Sequence, residues 1–201
     1  ISLYGATKLA SDKLFIASNS TYAENRKTSF SVVRYGNVMG SRGSIIPLFV
    51  SLKNNRELPI TDERMTRFMI SLEEGVELVW KAFHDMLGGE IYVKKIPSMK
   101  ITEIAKIIAP KAKLKIIGIR PGEKLHEQMI GLEDTNYTYE YKKYFKILSQ
   151  INDQNKDIDY IKTGNKVSKN FIYSSDNNTE WMTQAKFKNW LNLNKEYLGK
   201  L

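Results

Sequence analysis

Short β-branched segments alternate with amphipathic helical segments along most of this chain, and this alternation limits its fold more than any other feature. Residues 29–35 and 90–94 are rich in the residue types that favour strands. Residues 1–24 and the segment that starts at Ser71 repeat apolar residues at helical spacing. Strands that alternate with helices favour an α/β fold with a largely parallel sheet. The sequence therefore predicts an α/β chain whose latter half forms a smaller lobe.

Periodicity and chain-breaking residues place the predicted elements along the sequence. Helices are predicted over residues 1–24, 45–53, 71–83, 101–109, 125–130 and 184–192. Strands are predicted over residues 29–35, 58–61, 66–70, 90–94 and 114–119. The Tyr-, Lys- and Asn-rich stretch 133–170 has no clear period, so no element is predicted within it.

Composition limits the kinds of partner and site. The 201 residues, 42% of them hydrophobic, can bury one sizeable core with a small lobe. No run of about eighteen apolar residues occurs, so we expect no membrane span. The lack of cysteine excludes disulfides and cysteine nucleophiles, and it favours a reducing, cytoplasmic location. The net charge of +9 suits an anionic partner, although dispersed lysines are more typical of a solvated surface.

Tyr4 and Lys8 lie four residues apart on the first predicted helix, so their side chains share one face. A nearby ammonium favours the phenolate and lowers the pKa of a tyrosine, which makes Tyr4 a candidate acid/base. The spacing alone has little specificity, because Tyr139 and Lys143 repeat it. A surface tyrosine beside a surface lysine is the alternative interpretation of either pair.

Gly36, Gly40 and Gly43 lie between a predicted strand and a predicted helix, where a phosphate-binding loop would lie in a dinucleotide fold. Asp62 follows at roughly the position of a ribose-binding acid. The glycine spacing is not G-x-G-x-x-G, so an ordinary turn-rich loop is the favoured alternative.

Arg67 and Arg120 each lie at the end of a predicted strand or in the turn after one. Two such guanidinium groups can clamp a diphosphate through bidentate, charge-assisted hydrogen bonds. Surface salt bridges are the alternative for both arginines. His84 and His126 stand far apart without a ligand cluster, so we expect no metal site.

Five motifs follow one another in order along the chain. They are Tyr4-Gly-Ala-Thr-Lys8, Arg34-Tyr-Gly-Asn-Val38 with Gly40-Ser-Arg-Gly-Ser44 and Pro47, Met65-Thr-Arg-Phe68, Ile96-Pro-Ser-Met-Lys100, and Ile119-Arg-Pro-Gly-Glu-Lys-Leu-His-Glu127. Together they resemble the extended short-chain dehydrogenases, and in particular the inverting UDP-N-acetylglucosamine 4,6-dehydratases of the pseudaminic acid pathway. The resemblance implies the C-terminal part of a Rossmann-type doubly wound parallel sheet, with a smaller mixed α/β substrate-binding lobe.

The resemblance also implies roles for individual residues. Tyr4 resembles the base that lets hydride leave carbon 4, and Lys8 resembles the lysine that holds the nicotinamide ribose of NADP. Tyr35 and Val38 match positions that line the nicotinamide pocket. The positions that match substrate contacts are Asn37 near the phosphate, Ile46 and Pro47 beside the nucleotide, Thr61 and Met99 around uridine, Arg67 and Arg120 at the diphosphate, and Glu123 at the ribose.

The implied reaction oxidises carbon 4 of UDP-N-acetylglucosamine, removes water across carbons 5 and 6, and returns hydride to carbon 6. Reprotonation of carbon 5 from the other face inverts that centre. The product is a UDP-2-acetamido-2,6-dideoxy-L-hexos-4-ulose, a precursor of pseudaminic acid or related surface sugars such as those on flagellin. The resemblance also implies a homo-oligomer.

The resemblance divides the chain at about residue 83. Residues 1–83 correspond to the second half of a Rossmann-type domain with interleaved substrate-binding segments, and residues 84–201 mainly to the substrate-binding lobe and tail. The glycine-rich NADP loop and an Asp-Lys pair for water elimination lie upstream in the family, so we expect the N-terminal NADP-binding half to be absent here. On that basis the 201-residue chain alone is expected to be inactive and to bind NADP poorly.

Three alternatives remain open from the sequence. A retaining nucleotide-sugar 4,6-dehydratase or a 4-epimerase shares the Tyr-Lys pair and the two arginines, although Arg42, the run 74–76 and the run 97–99 favour the inverting group. A nucleotide-sensing relative without chemistry would not need to keep both Tyr4 and Lys8. A nucleic-acid-binding protein would fit the net charge, but no recognition helix or basic-aromatic stripe is recognisable.

Overall fold

Helices alternate with short strands in a computed structural model, which describes residues 3–26, 28–150 and 161–198. The helices in this part of the chain are α1 (Leu3–Arg26), α2 (Ile45–Ser51), α3 (Leu72–Asp85), α4 (Ile101–Ile108), α5 (Leu132–Thr135), α6 (Gln184–Leu193) and α7 (Lys195–Leu198). The strands are β1 (Val32–Arg34), β2 (Asn37–Val38), β3 (Glu57–Ile60), β4 (Thr66–Ile70), β5 (Ile91–Lys94), β6 (Ser98–Lys100), β7 (Lys113–Ile116), β8 (Gln128–Ile130), β9 (Thr138–Glu140), β10 (Tyr144–Ile147), β11 (Asn165–Lys166) and β12 (Tyr173–Ser174). Within the described residues, no helix combines the length and the apolar character that a membrane crossing requires.

The chain forms two units, and each unit is assembled from three separate stretches of sequence. Unit 1 comprises residues 1–35, 73–95 and 128–173, and unit 2 comprises residues 36–72, 96–127 and 174–201. Both units draw on residues from each side of residue 83, so their boundaries interleave along the chain. The assignment of residues 1–83 and 84–201 to different functions stays a prediction.

Unit 1 is built on a mixed sheet with strand order β1-β5-β10-β9-β11. β1 and β5 are parallel, with Val32 opposite Ile91, whereas the remaining pairs in this sheet are antiparallel. Leu78 and Ala82 of α3 pack on Tyr92 of β5, and all three are buried. A parallel strand pair requires a long crossover, and α3 lies in the segment that connects β1 to β5.

Unit 2 holds the larger core. β2 and β4 pair in parallel, β4 and β6 pair antiparallel, and β3 and β7 form a separate parallel pair. The fully buried side chains of Phe49 from α2, Ile104 from α4 and Phe187 from α6 meet in one apolar cluster. This cluster supports the strands and loops that carry the candidate site residues.

Most predicted elements are present, with ends displaced by a few residues. The helix predicted over 125–130 is wrong, because β8 occupies Gln128–Ile130 as a strand. The backbone before it bonds to distant segments rather than to its own helical turn: Thr66 N donates to Leu125 O at 3.3 Å and Ser175 N donates to Glu127 O at 2.7 Å. Strands β2, β6, β9, β10, β11 and β12 were not predicted, since they are short and β9, β10 and β11 lie in the stretch without a clear period.

Asp85 at the end of α3 neutralises a buried lysine of β10. Lys146 is only 1% exposed, and its Nζ donates to Asp85 Oδ2 at 2.7 Å. Tyr92 Oη and Lys162 Nζ also donate to this carboxylate, each at 3.0 Å. Burial alone would raise the pKa of Asp85, but the hydrogen bonds from Lys146 and Lys162 outweigh it and hold the pKa below its ordinary value.

We expect Asp85→Asn to destabilise the protein by about 3 kcal/mol at pH 7, because a buried ammonium loses this carboxylate. The folded-state pKa of Asp85 is depressed, so its contribution is present above the unfolded pKa of about 4 and is lost as the pH falls through the folded value. The difference between variant and wild type should therefore shrink on acidification, as measured by urea unfolding. Glu77→Gln is the matched control, since that carboxylate pairs with Lys94 on the surface and is 71% exposed. An equal loss in both variants would contradict the role of burial.

Candidate functional site

A cavity of about 290 Å³ lies within unit 2. Its apolar wall is formed by Val38, Met39, Ile45, Ile46, Leu48, Phe49, Pro59, Ile60, Met65, Met69, Ile101 and Ile117. Its polar side chains are Asn37, Ser44, Thr61, Arg67, Arg120 and Glu123. An apolar wall with a few convergent polar groups is typical of small-molecule sites.

Gly36 directly precedes β2, and Gly40 and Gly43 lie in the loop between β2 and α2, where Gly43 lines the cavity. A side chain at Gly36 would overlap the Cβ atom of Phe68, so glycine lets the chain pass close to β4. Gly40 and Gly43 have φ angles of +78° and +73°, which other residues rarely adopt. These glycines therefore have local packing and turn functions, which agrees with the turn-rich alternative to a dinucleotide fingerprint.

The sequence offered Asp62 as a ribose-binding acid. In the structure its carboxylate forms an ion pair with Arg64. Arg64 Nη2 donates to Asp62 Oδ2 at 2.8 Å, and Arg64 N donates to Asp62 Oδ1 at 2.8 Å. The side-chain and backbone hydrogen bonds from Arg64 lower the pKa of Asp62 to about 2. Asp62 therefore belongs to a local surface ion pair.

Arg67 projects from β4 and joins this strand to the loop that follows β7. Its Nη1 donates to Thr66 O at 2.7 Å and to Leu125 O at 3.1 Å, and its Nη2 donates to Lys124 O at 3.0 Å. The side chain is 15% exposed and also lines the cavity. Arg67 thus fixes the wall of the cavity and keeps its positive charge beside it.

The Pro-Gly turn places Arg120 and Glu123 at the same cavity. Arg120 N donates to Glu123 Oε2 at 3.3 Å, and Thr61 Oγ1 donates to Glu123 Oε1 at 3.3 Å. Gly122 has a φ angle of +79°, which this turn requires. The side chain of Arg120 is exposed and lines the cavity. Two arginines and one carboxylate therefore converge on one ligand-sized space.

Glu127 is a site residue that the sequence analysis did not select. The amide of Asn37, oriented to satisfy its neighbours, donates from Nδ2 to Glu127 Oε1 at 2.7 Å and to Oε2 at 2.9 Å. Phe68 N donates to Glu127 Oε2 at 3.2 Å, and Arg67 Nε lies 3.7 Å from Oε1. Burial raises the pKa of Glu127, although the charge of Arg67 and the hydrogen bonds from Phe68 and Asn37 oppose this. The sequence feature that could have identified Glu127 is its position as the last residue of the motif that starts at Ile119.

Val38, predicted to line the nicotinamide pocket, and the other predicted substrate contacts have different surroundings. Val38 and Ile46 line the cavity. Pro47 is half-buried on α2 and is not part of the described cavity lining. Met99 lies opposite Arg67 in the β4–β6 pair, and its side chain is fully buried in the unit 2 core. Contacts of Pro47 and Met99 with a substrate stay predictions.

Three predicted residues belong to unit 1. Tyr4 lies within α1, but its side chain is outside the described residues. Lys8 is exposed on the same helix. Tyr35 is 42% exposed and faces Gly75 of α3. The roles of these three residues stay predictions.

The histidines and the second Tyr-Lys pair have local partners. His126 Nδ1 lies 2.8 Å from Thr66 Oγ1, and the His84 ring stacks on Trp80 with centroids 6.0 Å apart. Lys166, rather than Lys143, lies over the ring of Tyr139, with its Nζ 4.6 Å from the ring centroid. In the part of the chain that the structure describes, no group of three or more His, Asp or Glu residues could hold a metal ion.

Comparison with known proteins adds to this geometry. The family model for polysaccharide biosynthesis proteins matches residues 1–149. A UDP-N-acetylglucosamine 4,6-dehydratase (inverting) from Campylobacter jejuni is 52% identical over 199 residues, which cover 96% of this chain and 59% of that protein. A UDP-glucose 4-epimerase from Rickettsia bellii is 36% identical over 203 residues, which cover 98% of this chain and 59% of the epimerase. The chain thus spans about three fifths of the length of these relatives.

The crystal structure of Pen from Bacillus thuringiensis has the same fold, with a TM-score of 0.80 and 30% sequence identity. The match covers 98% of this chain and 58% of Pen. The predicted fold class, an α/β chain of Rossmann type, is confirmed. The family model and the high identity to the inverting dehydratases confirm the resemblance of the five motifs, and the chain belongs to the polysaccharide biosynthesis protein family of extended short-chain dehydrogenases.

Proposed function

We propose that the protein containing this chain is a UDP-N-acetylglucosamine 4,6-dehydratase that inverts carbon 5. The observation that carries the proposal is the unit 2 cavity, where Arg67, Arg120 and the Thr61–Glu123 pair meet an apolar wall. The 52% identity to an inverting dehydratase supports the choice of reaction.

The cavity fits the nucleotide part of such a substrate. The guanidinium groups of Arg67 and Arg120 can donate charge-assisted hydrogen bonds to a diphosphate. Glu123 can accept from a ribose hydroxyl, because its carboxylate is fixed by Thr61 and the backbone of Arg120. The apolar wall, to which Ile46 contributes, suits a pyrimidine base. Different residues of one site thereby contact the diphosphate, the ribose and the base.

The unit 1 residues supply the acid/base chemistry in this proposal. When bound, a nicotinamide cofactor provides reversible hydride transfer. Tyr4 accepts the proton of the sugar hydroxyl at carbon 4, and the ammonium of Lys8 stabilises the resulting phenolate. The exposed side chains of Lys8 and Tyr35 fit contacts with the ribose and the nicotinamide. Val38, the other residue assigned to the nicotinamide pocket, is half-buried and lines the unit 2 cavity.

Several finer points belong to the same proposal. The cofactor is NADP, the product enters pseudaminic acid or related polysaccharide synthesis, and the enzyme works as a cytoplasmic homo-oligomer. Inversion is favoured over 4-epimerisation because identity to the inverting dehydratase is 52%, against 36% for the epimerase. The unit 2 cavity supports a nucleotide-sugar ligand, and the sequence identity supports the choice of inversion.

The reaction can be tested with the full-length protein, UDP-N-acetylglucosamine and NADP in deuterated water. We expect a UDP-linked 4-keto-6-deoxy sugar with deuterium at carbon 5 and the L-configuration, identified by proton coupling constants in NMR spectra. A D-configured keto sugar would indicate a retaining dehydratase, and UDP-N-acetylgalactosamine would indicate an epimerase. Either product would contradict the proposal.

Tyr4→Phe should lower kcat of the full-length enzyme roughly 10²–10⁴-fold, because the phenol that accepts the proton is removed. The dissociation constant for UDP should change little, since the diphosphate contacts are assigned to unit 2. Tyr139→Phe is the matched control, because Tyr139 has the same spacing to a lysine. Full activity of Tyr4→Phe would rule out this role for Tyr4.

Arg120→Ala should raise the dissociation constant for UDP about tenfold or more, through loss of a charge-assisted hydrogen bond to phosphate. Arg64→Ala is the matched control, because Arg64 is a surface arginine of the same unit that pairs with Asp62. Isothermal titration of both variants decides the point. Equal weakening by the two substitutions would indicate a general effect of surface charge instead.

A further inference from the structure

Asn37 and the ionised carboxylate of Glu127 form a hydrogen-bonded pair in which the amide is the donor. Both carboxylate oxygens of Glu127 accept from Asn37 Nδ2, at 2.7 and 2.9 Å. The opposite amide orientation would place Asn37 Oδ1 against two anionic oxygens, and two acceptors cannot form a hydrogen bond. The NH₂ group of Asn37 is therefore directed to Glu127, and Oδ1 is the polar atom that Asn37 can turn to a ligand in the cavity it lines.

Both the carboxylate and the backbone of Glu127 are held by hydrogen bonds. Phe68 N donates to Oε2 at 3.2 Å, which fixes one oxygen against β4. Glu127 N donates to Ser175 Oγ at 2.9 Å, and Ser175 N donates to Glu127 O at 2.7 Å. Gly36, directly before Asn37, packs too closely on Phe68 to allow a side chain. The backbones on both sides of the pair are thus constrained.

The cavity has separate donors for an anion. Arg67 and Arg120 line it and carry positive charge, so a diphosphate does not need a further donor from Asn37. The sugar of a nucleotide sugar has hydroxyl and N–H donors that need acceptors. A site that holds an acceptor in place for one of these sugar donors gains selectivity. A substrate analogue that lacks the donor would leave the acceptor of the protein without a hydrogen bond.

Given the proposed function, on which this inference rests, we propose that Asn37 is a hydrogen-bond acceptor for a hydroxyl or N–H group of the sugar, and that Glu127 is the positioning residue that sets its polarity. Glu127 acts through Asn37 and does not touch the substrate. Asn37 thereby contacts the sugar, whereas the resemblance of the motifs placed it near the phosphate, and the diphosphate is bound by Arg67 and Arg120.

Glu127→Gln reverses the polarity of the pair while keeping its shape. The introduced side chain keeps a carbonyl oxygen that can accept from Phe68 N. Its NH₂ group then donates to a flipped Asn37, which turns its own NH₂ to the cavity. In the full-length protein we expect the dissociation constant for UDP-N-acetylglucosamine to rise about tenfold, while that for UDP stays within about twofold. Isothermal titration with both ligands measures this difference, and it does not depend on turnover.

A second variant restores the acceptor. When Asn37→Asp is combined with Glu127→Gln, one oxygen of the introduced carboxylate accepts from the introduced amide, and the other faces the cavity as an acceptor. We expect this double variant to recover affinity for UDP-N-acetylglucosamine to within about threefold of wild type. Rescue is a result that a merely structural role of Glu127 would not produce.

The opposite assignment gives opposite results. If Asn37 donated to a phosphate oxygen, Glu127→Gln would keep or improve binding of both ligands, and the double variant would weaken UDP binding through charge repulsion. Loss of UDP binding in Glu127→Gln without rescue would also overturn the proposal, with thermal unfolding measured to identify misfolding. Wild-type protein that binds both ligands without forming a keto sugar would contradict the proposed reaction but leave this inference testable.

Discussion

The hydrogen bonds from Arg67 to the carbonyl oxygens of Leu125 and Lys124 join strand β4 to the loop that follows β7. This loop carries Arg120, Glu123 and Glu127, so Arg120 and Glu123 reach the cavity, and Glu127 reaches Asn37, because the loop is held there. A guanidinium suits this task, since its planar donors can bind several carbonyl groups at once and its charge does not titrate near neutral pH. One side chain therefore both builds the wall and gives it positive charge.

Around this connection, unit 2 arranges its polar groups as mutually oriented pairs. Thr61 orients Glu123, and Asn37 and Glu127 orient each other. Each pair is anchored on a strand or on a turn whose backbone is constrained by glycine, as at Gly36 and Gly122. Such preorganisation lowers the cost of ordering a site when a ligand binds.

Local patterns predicted much of the fold. The helical spacing in residues 1–24 and in the segment that starts at Ser71 corresponded to α1 and α3, and the helix predicted over 101–109 corresponded to α4. The stretch 125–130 was mistaken for a helix because its apolar spacing is local, whereas its hydrogen-bond partners at Thr66 and Ser175 are distant in sequence. Short strands such as β9 and β10 were missed for the same reason, since strand pairing depends on partners that no window of sequence contains.

The sequence by itself determined the family, through five ordered motifs, and it selected both arginines and Glu123 as site residues. It could not determine which of these side chains share a cavity, or that Met99 is buried in the core while Glu127 pairs with Asn37. Residue type and spacing specify the chemistry a side chain can perform. Its partners, burial and amide orientation follow from contacts between segments far apart in the chain, as for Thr66 with His126 and with Ser175, and only the tertiary structure decides these.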